Sequence, residues 1–262
     1  MGVTRSSVLR PVNGALTQAG NIVELFVDVA RNTFKRPFQF REFIEQAWFI
    51  ASVTILPTAM VAIPFGAVVS LQTGSLIKQL GAESFTGAAS VLAVIQQGSP
   101  LVTALLVAGA AGSAVTADLG ARTIREEIDA MEVLGIDPVQ RLVTPRMLAS
   151  GVVALLLNSL VVIIGILGGY TFSIFIQDVN PGAFAAGITL LTGVPEVIIS
   201  CVKALLFGLI AGLVACYRGL NITGGGAKAV GNAVNETVVY AFMALFAINV
   251  VVTAIGIQMS QD

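Results

Sequence analysis

The chain has 262 residues, of which 56% are hydrophobic and only 11% charged, with a formal net charge of −1. An ordinary soluble domain carries roughly 25% charged residues, so this composition excludes a water-facing globule and makes the lipid bilayer the expected solvent. No strongly basic balance points to nucleic acid, and in a membrane chain the placement of charge matters more than its sum.

Residues 13 to 34 intersperse Leu16, Ile22, Val23, Leu25, Phe26, Val29 and Ala30 with Glu24, Asp28 and Arg31. This is a helical amphipathicity suited to a helix lying along the membrane surface. Phe34, Lys35, Arg36, Phe38, Phe40 and Arg41 follow, matching headgroup-level anchoring by rings and cations. The first 35 residues contain no compact apolar run followed by a small-residue cleavage site, so no removable signal peptide is expected. Residues 1–42 therefore read as an N-terminal interfacial segment and 43–262 as one membrane domain.

Five apolar runs follow, near 46–71, 88–117, 147–176, 194–217 and 237–259, each long enough to cross about 30 Å of hydrocarbon at 1.5 Å per residue. The segment 183–193 is apolar but too short to span, and reads as a short outer helix or re-entrant piece. Pro57 and Pro64 should kink or loosen the first span, because each removes a backbone donor and crowds the preceding turn. Gly165 with Gly169, Gly208 with Gly212, and the run Ala108 to Ala114 supply small-xxx-small spacing for close helix approach. Asn158 and Asn249 stand near span centres, where amides bridge neighbouring helices. Cys201 and Cys216 share the fourth run about 22 Å apart along a helix, beyond disulfide reach. With no histidine in the chain, the usual zinc and haem ligand sets are missing, and neither a metal site nor a catalytic group is expected.

Orientation follows from the basic residues. Arg5, Arg10, Arg31, Lys35, Arg36 and Arg41 precede the first span; Arg122, Arg125, Arg141 and Arg146 lie between the second and third; Arg218 and Lys228 lie between the fourth and fifth. Only Lys78 falls opposite, and Lys203 sits inside the fourth run. The positive-inside bias thus predicts a multi-pass protein of the cytoplasmic membrane with its N-terminus cytoplasmic and its C-terminus external.

The most strongly patterned loop is 118–146, DLGARTIREEIDAMEVLGIDPVQRLVTPR. Ile124, Ile128, Met131 and Leu134 recur at helical spacing, with Arg125, Glu126, Glu127, Asp129 and Glu132 between them and a stop from Gly135 to Pro138. A short amphipathic helix near 122–135 is expected. Its acidic face and apolar ridge suit a groove on a cytoplasmic partner better than an anionic membrane surface, which favours basic faces. The glycines at 224–226 and 231 lack the lysine and the preceding strand of a phosphate-binding loop, so they read as a flexible turn, and energy must come from a separate ATPase. Glu196 and Lys203 stand seven residues apart, on one helical face and about 10 Å from each other. Intramembrane charges are functional candidates by default, while Glu196, near a span end, also fits simple placement at the interface.

PLVTALLVAGAAGSAVTADLG, followed by EEIDAMEVLGIDPVQRLVTPRMLA and more weakly by CYRGLNITGGGAKAVGNAVNETVV, resembles the MlaE/YrbE permeases of Mce-type ABC lipid transporters, particularly the mycobacterial YrbE branch. The resemblance covers most of residues 40 to 260. It implies an all-α integral membrane fold, with an N-terminal interfacial helix, five transmembrane helices and a cytoplasmic coupling helix. It also implies a two-permease dimer bound to an ABC ATPase dimer that holds ATP-Mg, with hexameric Mce proteins outside. No cofactor is expected in this chain. On this resemblance Glu126, Ile128, Asp129, Met131, Glu132, Leu134 and Gly135 form the coupling helix, and the lipid path is lined by the first, second and fifth spans. Many relatives carry Glu-x-Gly-Pro where Gln97, Gly98, Ser99 and Pro100 stand, and often an arginine at Ala110. The missing groups suggest a heterodimer in which a sister permease completes the path. The residues Pro57, Pro64, Gln97, Pro100, Glu196, Lys203 and Asn249 are the candidates for the transport path. The principal alternative is a proton-coupled secondary transporter using Glu196 and Lys203, although such carriers usually show repeated halves. A membrane-embedded enzyme would need convergent catalytic groups that this sequence does not cluster.

Overall fold

The computed structural model describes the backbone of residues 6–33, 39–82, 85–188 and 190–259, with side chains described for residues 20–33, 39–82, 85–188 and 190–255. The basic and aromatic stretch Phe34, Lys35, Arg36 and Phe38 lies outside the described residues. All regular structure among the described residues is helical. It comprises α1 (Ser6–Thr33), α2 (Phe40–Gln79), α3 (Thr86–Ile124), α4 (Glu127–Val133), α5 (Val139–Gln177), α6 (Pro181–Ile188), α7 (Val194–Leu220) and α8 (Ala227–Met259). Five of these, α2, α3, α5, α7 and α8, are long and apolar enough to cross a membrane. The reason is elementary: with no water to satisfy peptide groups in hydrocarbon, a spanning segment must close its hydrogen bonds within itself.

The spans alternate in direction. One end of the bundle carries α1, α4 and the 221–226 turn; the other carries α6. Helices α2, α3 and α5 extend beyond the apolar runs, so charged termini such as Glu42, Lys78 and Arg122 stay on continuous helix. α2 runs unbroken through Pro57 and Pro64. α6 occupies part of the segment too short to span. Its buried Phe184 meets Tyr170 edge-on at 5.5 Å and joins Val91 and Ile95 in a small core.

Packing within the bundle depends on small residues, as helix association in lipid gains nothing from expelling water and must come from close contact. α2 lies along α5 for most of its length. At this crossing a Cβ on Gly66 would strike the Gly165 backbone, and one on Gly168 the Ile63 backbone. Ser70 and Ser173 share a buried hydrogen bond of 2.9 Å on the same seam, and Gln177 Nε2 donates to the Leu71 carbonyl at 2.7 Å. Nearer the N-terminus of α5, Gly208 and Gly212 of α7 sit against Ser150, Gly151 and Ala154. α1 lays Ile22, Leu25 and Val29 on the main core and leaves Val23 and Phe26 exposed. It is tied down by Asn32 to Asp137 (3.3 Å) and Asn21 to the Tyr217 hydroxyl (3.4 Å).

Gly66→Ala should therefore force α2 and α5 apart and cost about 1–3 kcal/mol, the usual range for overpacking. Gly231→Ala, at a position with no neighbouring atom near the added carbon, should leave the unfolding midpoint of detergent-purified protein unchanged or slightly raised. Thermal unfolding of the two variants side by side checks this.

Candidate functional site

Two polar constellations stand out of the apolar bundle. The first lies inside it, where α3, α7 and α8 meet. α3 is π-helical at Val94–Gly98, directly before Pro100, and such bulges release backbone groups from their ordinary partners. Pro100 has no N–H with which to close the usual bond to the Gln96 carbonyl four residues back. Lys203 of α7, only 2% exposed, supplies the donor instead: Nζ reaches the Gln96 carbonyl at 3.2 Å and Thr253 Oγ1 of α8 at 3.0 Å. Gln97 Nε2 donates to the same Thr253 hydroxyl at 3.4 Å. One turn before Lys203, Ser200 accepts from Asn158 Nδ2 at 3.0 Å and shares a 3.3 Å hydrogen bond with Ser99. This polar belt joins four spans.

The second constellation occupies the α4 end. Arg146 of α5 has no exposed surface. Its Nη2 donates to Asp118 Oδ2 of α3 at 2.6 Å, its Nη1 to the Leu142 carbonyl at 3.1 Å, and Nη1 stands 3.8 Å from Glu42 Oε1 of α2. Three spans are thereby tied within a few residues of where α4 leaves the bundle. α3 ends at Ile124, Arg125 follows, and Glu126 takes a left-handed conformation (φ 60°) that reverses the chain into α4. Gly135 (φ 74°) ends the excursion, a conformation that costs glycine nothing. Ile128 is buried in the main core and Met131 packs beside it, while Glu126, Asp129 and Glu132 face outward. Val133 is 87% and Leu134 75% exposed. Arg125 pairs with Glu127 at 2.8 Å. Behind α4, Thr123 Oγ1 donates to the Gly219 carbonyl at 3.0 Å, and Ile222 of the glycine-rich turn seats on Gly120.

The structure corrects one expectation about these residues. The loop helix spans Glu127–Val133, not 122–135, because residues 122–124 complete α3 and Glu126 forms the hinge. Glu196 and Lys203 stand apart on α7, in keeping with their spacing of seven residues. The Glu196 carboxylate accepts from the Gly193 N–H at 2.8 Å and closes the N-terminus of α7, and among the described residues no ion pair joins it to Lys203. Asn158 does bridge helices as its position implied. Asn249 leaves its buried Oδ1 without a partner. Gln97 and Pro100 fall at the polar node, whereas Pro57 and Pro64 are bound into α2 away from its named contacts. Sequence reasoning missed Thr253, Ser200 and Ser99, and it counted Arg146 only as an orientation marker. The signal available for Arg146 was a guanidinium at the mouth of a 30-residue apolar run, with Asp118 placed symmetrically at the mouth of the preceding one.

Five helices long and apolar enough to cross a membrane, bridged by buried polar groups and carrying at one end an amphipathic helix seated through Ile128, suit a membrane permease. The Permease MlaE family model matches residues 43–255, and the chain belongs to that family. It is 30% identical over 237 residues to a probable ABC transporter permease protein of Rickettsia prowazekii (strain Madrid E), covering 90% of this chain and 91% of that one. A probable ABC transporter permease protein of Synechocystis sp. is 29% identical over 226 residues, covering 86% and 84%. The intermembrane phospholipid transport system permease protein MlaE of Haemophilus influenzae is 26% identical over 213 residues, covering 81% of each chain.

Removing one partner of a buried ion pair strands the other, at a cost of about 3–5 kcal/mol. Asp118→Asn, which strands the fully buried guanidinium, should accordingly lower the unfolding midpoint most. Arg146→Met should lower it less, because it leaves two partly exposed carboxylates, and Glu42→Gln, which removes only the 3.8 Å partner, should lower it least. Differential scanning measurements on the three purified variants test this order.

Proposed function

We propose that this chain is the permease half of an ATP-driven lipid transporter of the YrbE branch, working with Mce proteins. The observation that carries the reading is α4: a helix anchored through Ile128, turned out at Glu126 and ended by two almost fully exposed apolar residues beside Asp129 and Glu132. Apolar side chains left bare at the polar end of a membrane bundle, rimmed by acids, have the form of a helix that docks in a partner's groove. The relatives' names as ABC transporter permeases support a cytoplasmic ATPase as that partner, binding ATP-Mg in its own subunits. α4 then lies in the cytoplasm, in keeping with the basic residues on its side of the spans. The N-terminus is cytoplasmic and the C-terminus external.

The phospholipid transport named for the Haemophilus relative supports lipid as the cargo. The lipid path runs along α2, α3 and α8 at the interface with a sister permease, and Mce hexamers engage the external end. Gln97 and Ala110, where many relatives carry charged residues, support a heterodimer. The secondary-transporter reading is weakened by the fixed role of Glu196 at the start of α7. Without that carboxylate no acidic group lies within ion-pair distance of Lys203 among the described residues.

Reversing Glu126, Asp129 and Glu132 to lysine should abolish co-purification of the ATPase while the variant still inserts into the membrane. Val133→Ser with Leu134→Ser should weaken association at least about tenfold, consistent with losing two well-buried anchors. Normal pull-down by both variants would mean that α4 is not the docking element.

A further inference from the structure

At the end of the bundle that carries α6, a cavity of about 320 Å³ opens between α2, α3, α5 and α6, within the roughly 300–1,000 Å³ usual for small-molecule sites. Lys78, Thr86, Gln177, Asp178 and Asn180 stand on its wall. Neither α7 nor α8 contributes to the lining, so the cavity is separate from the node at Lys203.

Two acceptors on this wall lack donors. Asp178 ends α5 in a left-handed conformation (φ 56°), a position that glycine or asparagine fills most readily. A carboxylate there also meets the negative end of the helix dipole, so the stability of α5 does not account for it. Among the described residues no ion pair engages that carboxylate. Gln177 turns its Nε2 to the Leu71 carbonyl and is left with an Oε1 that has no partner; a Cβ on Gly74 would collide with that oxygen. Asn180, by contrast, uses its Oδ1 on the N–H groups of Gly182 and Ala183. Adjacent acceptors on one wall, one of them charged, call for a cation with several N–H donors, which is an ammonium.

Lys78 lines the same cavity, yet it forms no ion pair with Asp178 or with any other described acid. Thr86, only 2% exposed, makes no side-chain hydrogen bond among the described residues. An ammonium and a hydroxyl donor suit a phosphate. Opposite charges that share a cavity without pairing leave room for a zwitterion between them, and the ends of α2 and α5 stand where spans leave the hydrocarbon and meet headgroups. We infer that the cavity holds the phosphoethanolamine headgroup of a resident membrane lipid, its ammonium on Asp178 and Gln177 and its phosphate on Lys78 and Thr86. The lipid is a fixed component of the bundle and not the cargo. Phosphatidylcholine, whose quaternary nitrogen has no N–H, and phosphatidylglycerol, which carries no cation, each satisfy only half of the site.

The test is native mass spectrometry of the full-length chain, purified with its partner subunits, from nanodiscs of equal phosphatidylethanolamine, phosphatidylcholine and phosphatidylglycerol. Wild type and variants are compared in the same mixture, so that lipid held elsewhere cancels. The wild type should retain phosphatidylethanolamine over each of the others by about fivefold or more, equivalent to about 1 kcal/mol. Asp178→Asn should abolish the preference, and it keeps the fold because asparagine readily takes the left-handed conformation. Lys78→Met should lower retention of phosphatidylethanolamine by a similar factor. An excess of soluble phosphoethanolamine distinguishes the source of the ligand: displacement of the lipid assigns the site to the headgroup alone, and undiminished retention assigns it to the whole lipid. Retention indifferent to headgroup, a preference that survives in Asp178→Asn, or a complex that retains no lipid overturns the inference. None of these outcomes touches the permease reading, which the ATPase pull-down tests.

Discussion

A guanidinium with no exposed surface is stable only if its charge is met nearby, and at Arg146 both terminal nitrogens find partners while Nε is left without one. Asp118 comes from α3, Glu42 from α2 and the Leu142 carbonyl from α5 itself. The pairing fixes the depth and rotation of three spans at the end from which α4 emerges. Charge-assisted bonds of this kind are directional where apolar contacts are not. The ion cluster adds to the register set elsewhere by the buried hydrogen bonds of the α2–α5 seam and the polar belt.

The remaining cohesion is of a different nature. Between α2 and α5, and between α5 and α7, glycine and serine allow backbones to touch, and the gain is dispersion at close range. The polar belt at Ser99, Asn158, Ser200, Lys203 and Thr253 lies between these two regimes. It is buried at Ser99, Asn158, Ser200 and Lys203 and half-buried at Gln97 and Thr253. The Arg146 cluster at one end and the belt within are connected through the same helices, α3 and α5. Thr123 on Gly219 and Ile222 on Gly120 back the α4 end of α3 against α7 and the 221–226 turn.

Much of the fold was legible because hydropathy is a strong local signal. The five spans, the short outer helix and the amphipathic loop helix all follow from run length and helical spacing. The hinge was not legible, because a left-handed glutamate carries no mark in sequence, and the periodicity of Ile124, Ile128 and Met131 continues across it. The π-helical turn before Pro100 escaped for a related reason: bulges depend on tertiary partners, and the partner here is Lys203, more than a hundred residues away. Lys203 was recognisable as an intramembrane charge. Its acceptors were not, one being a backbone carbonyl and the other a threonine 50 positions further on. Glu196 was legible as a carboxylate near a span end, but its acceptance of the Gly193 N–H depends on the backbone at the start of α7.

The claim on which the account turns is that α4 projects into the cytoplasm and is covered there by an ATPase. Its most direct test is a single cysteine at Leu134, in a background with Cys201 and Cys216 replaced by alanine, treated with a membrane-impermeant thiol reagent. The account predicts labelling in inverted membrane vesicles but not in intact cells, and protection of the vesicles when the ATPase subunit is co-expressed. Labelling from outside the cell, or labelling unaffected by the ATPase, would contradict it.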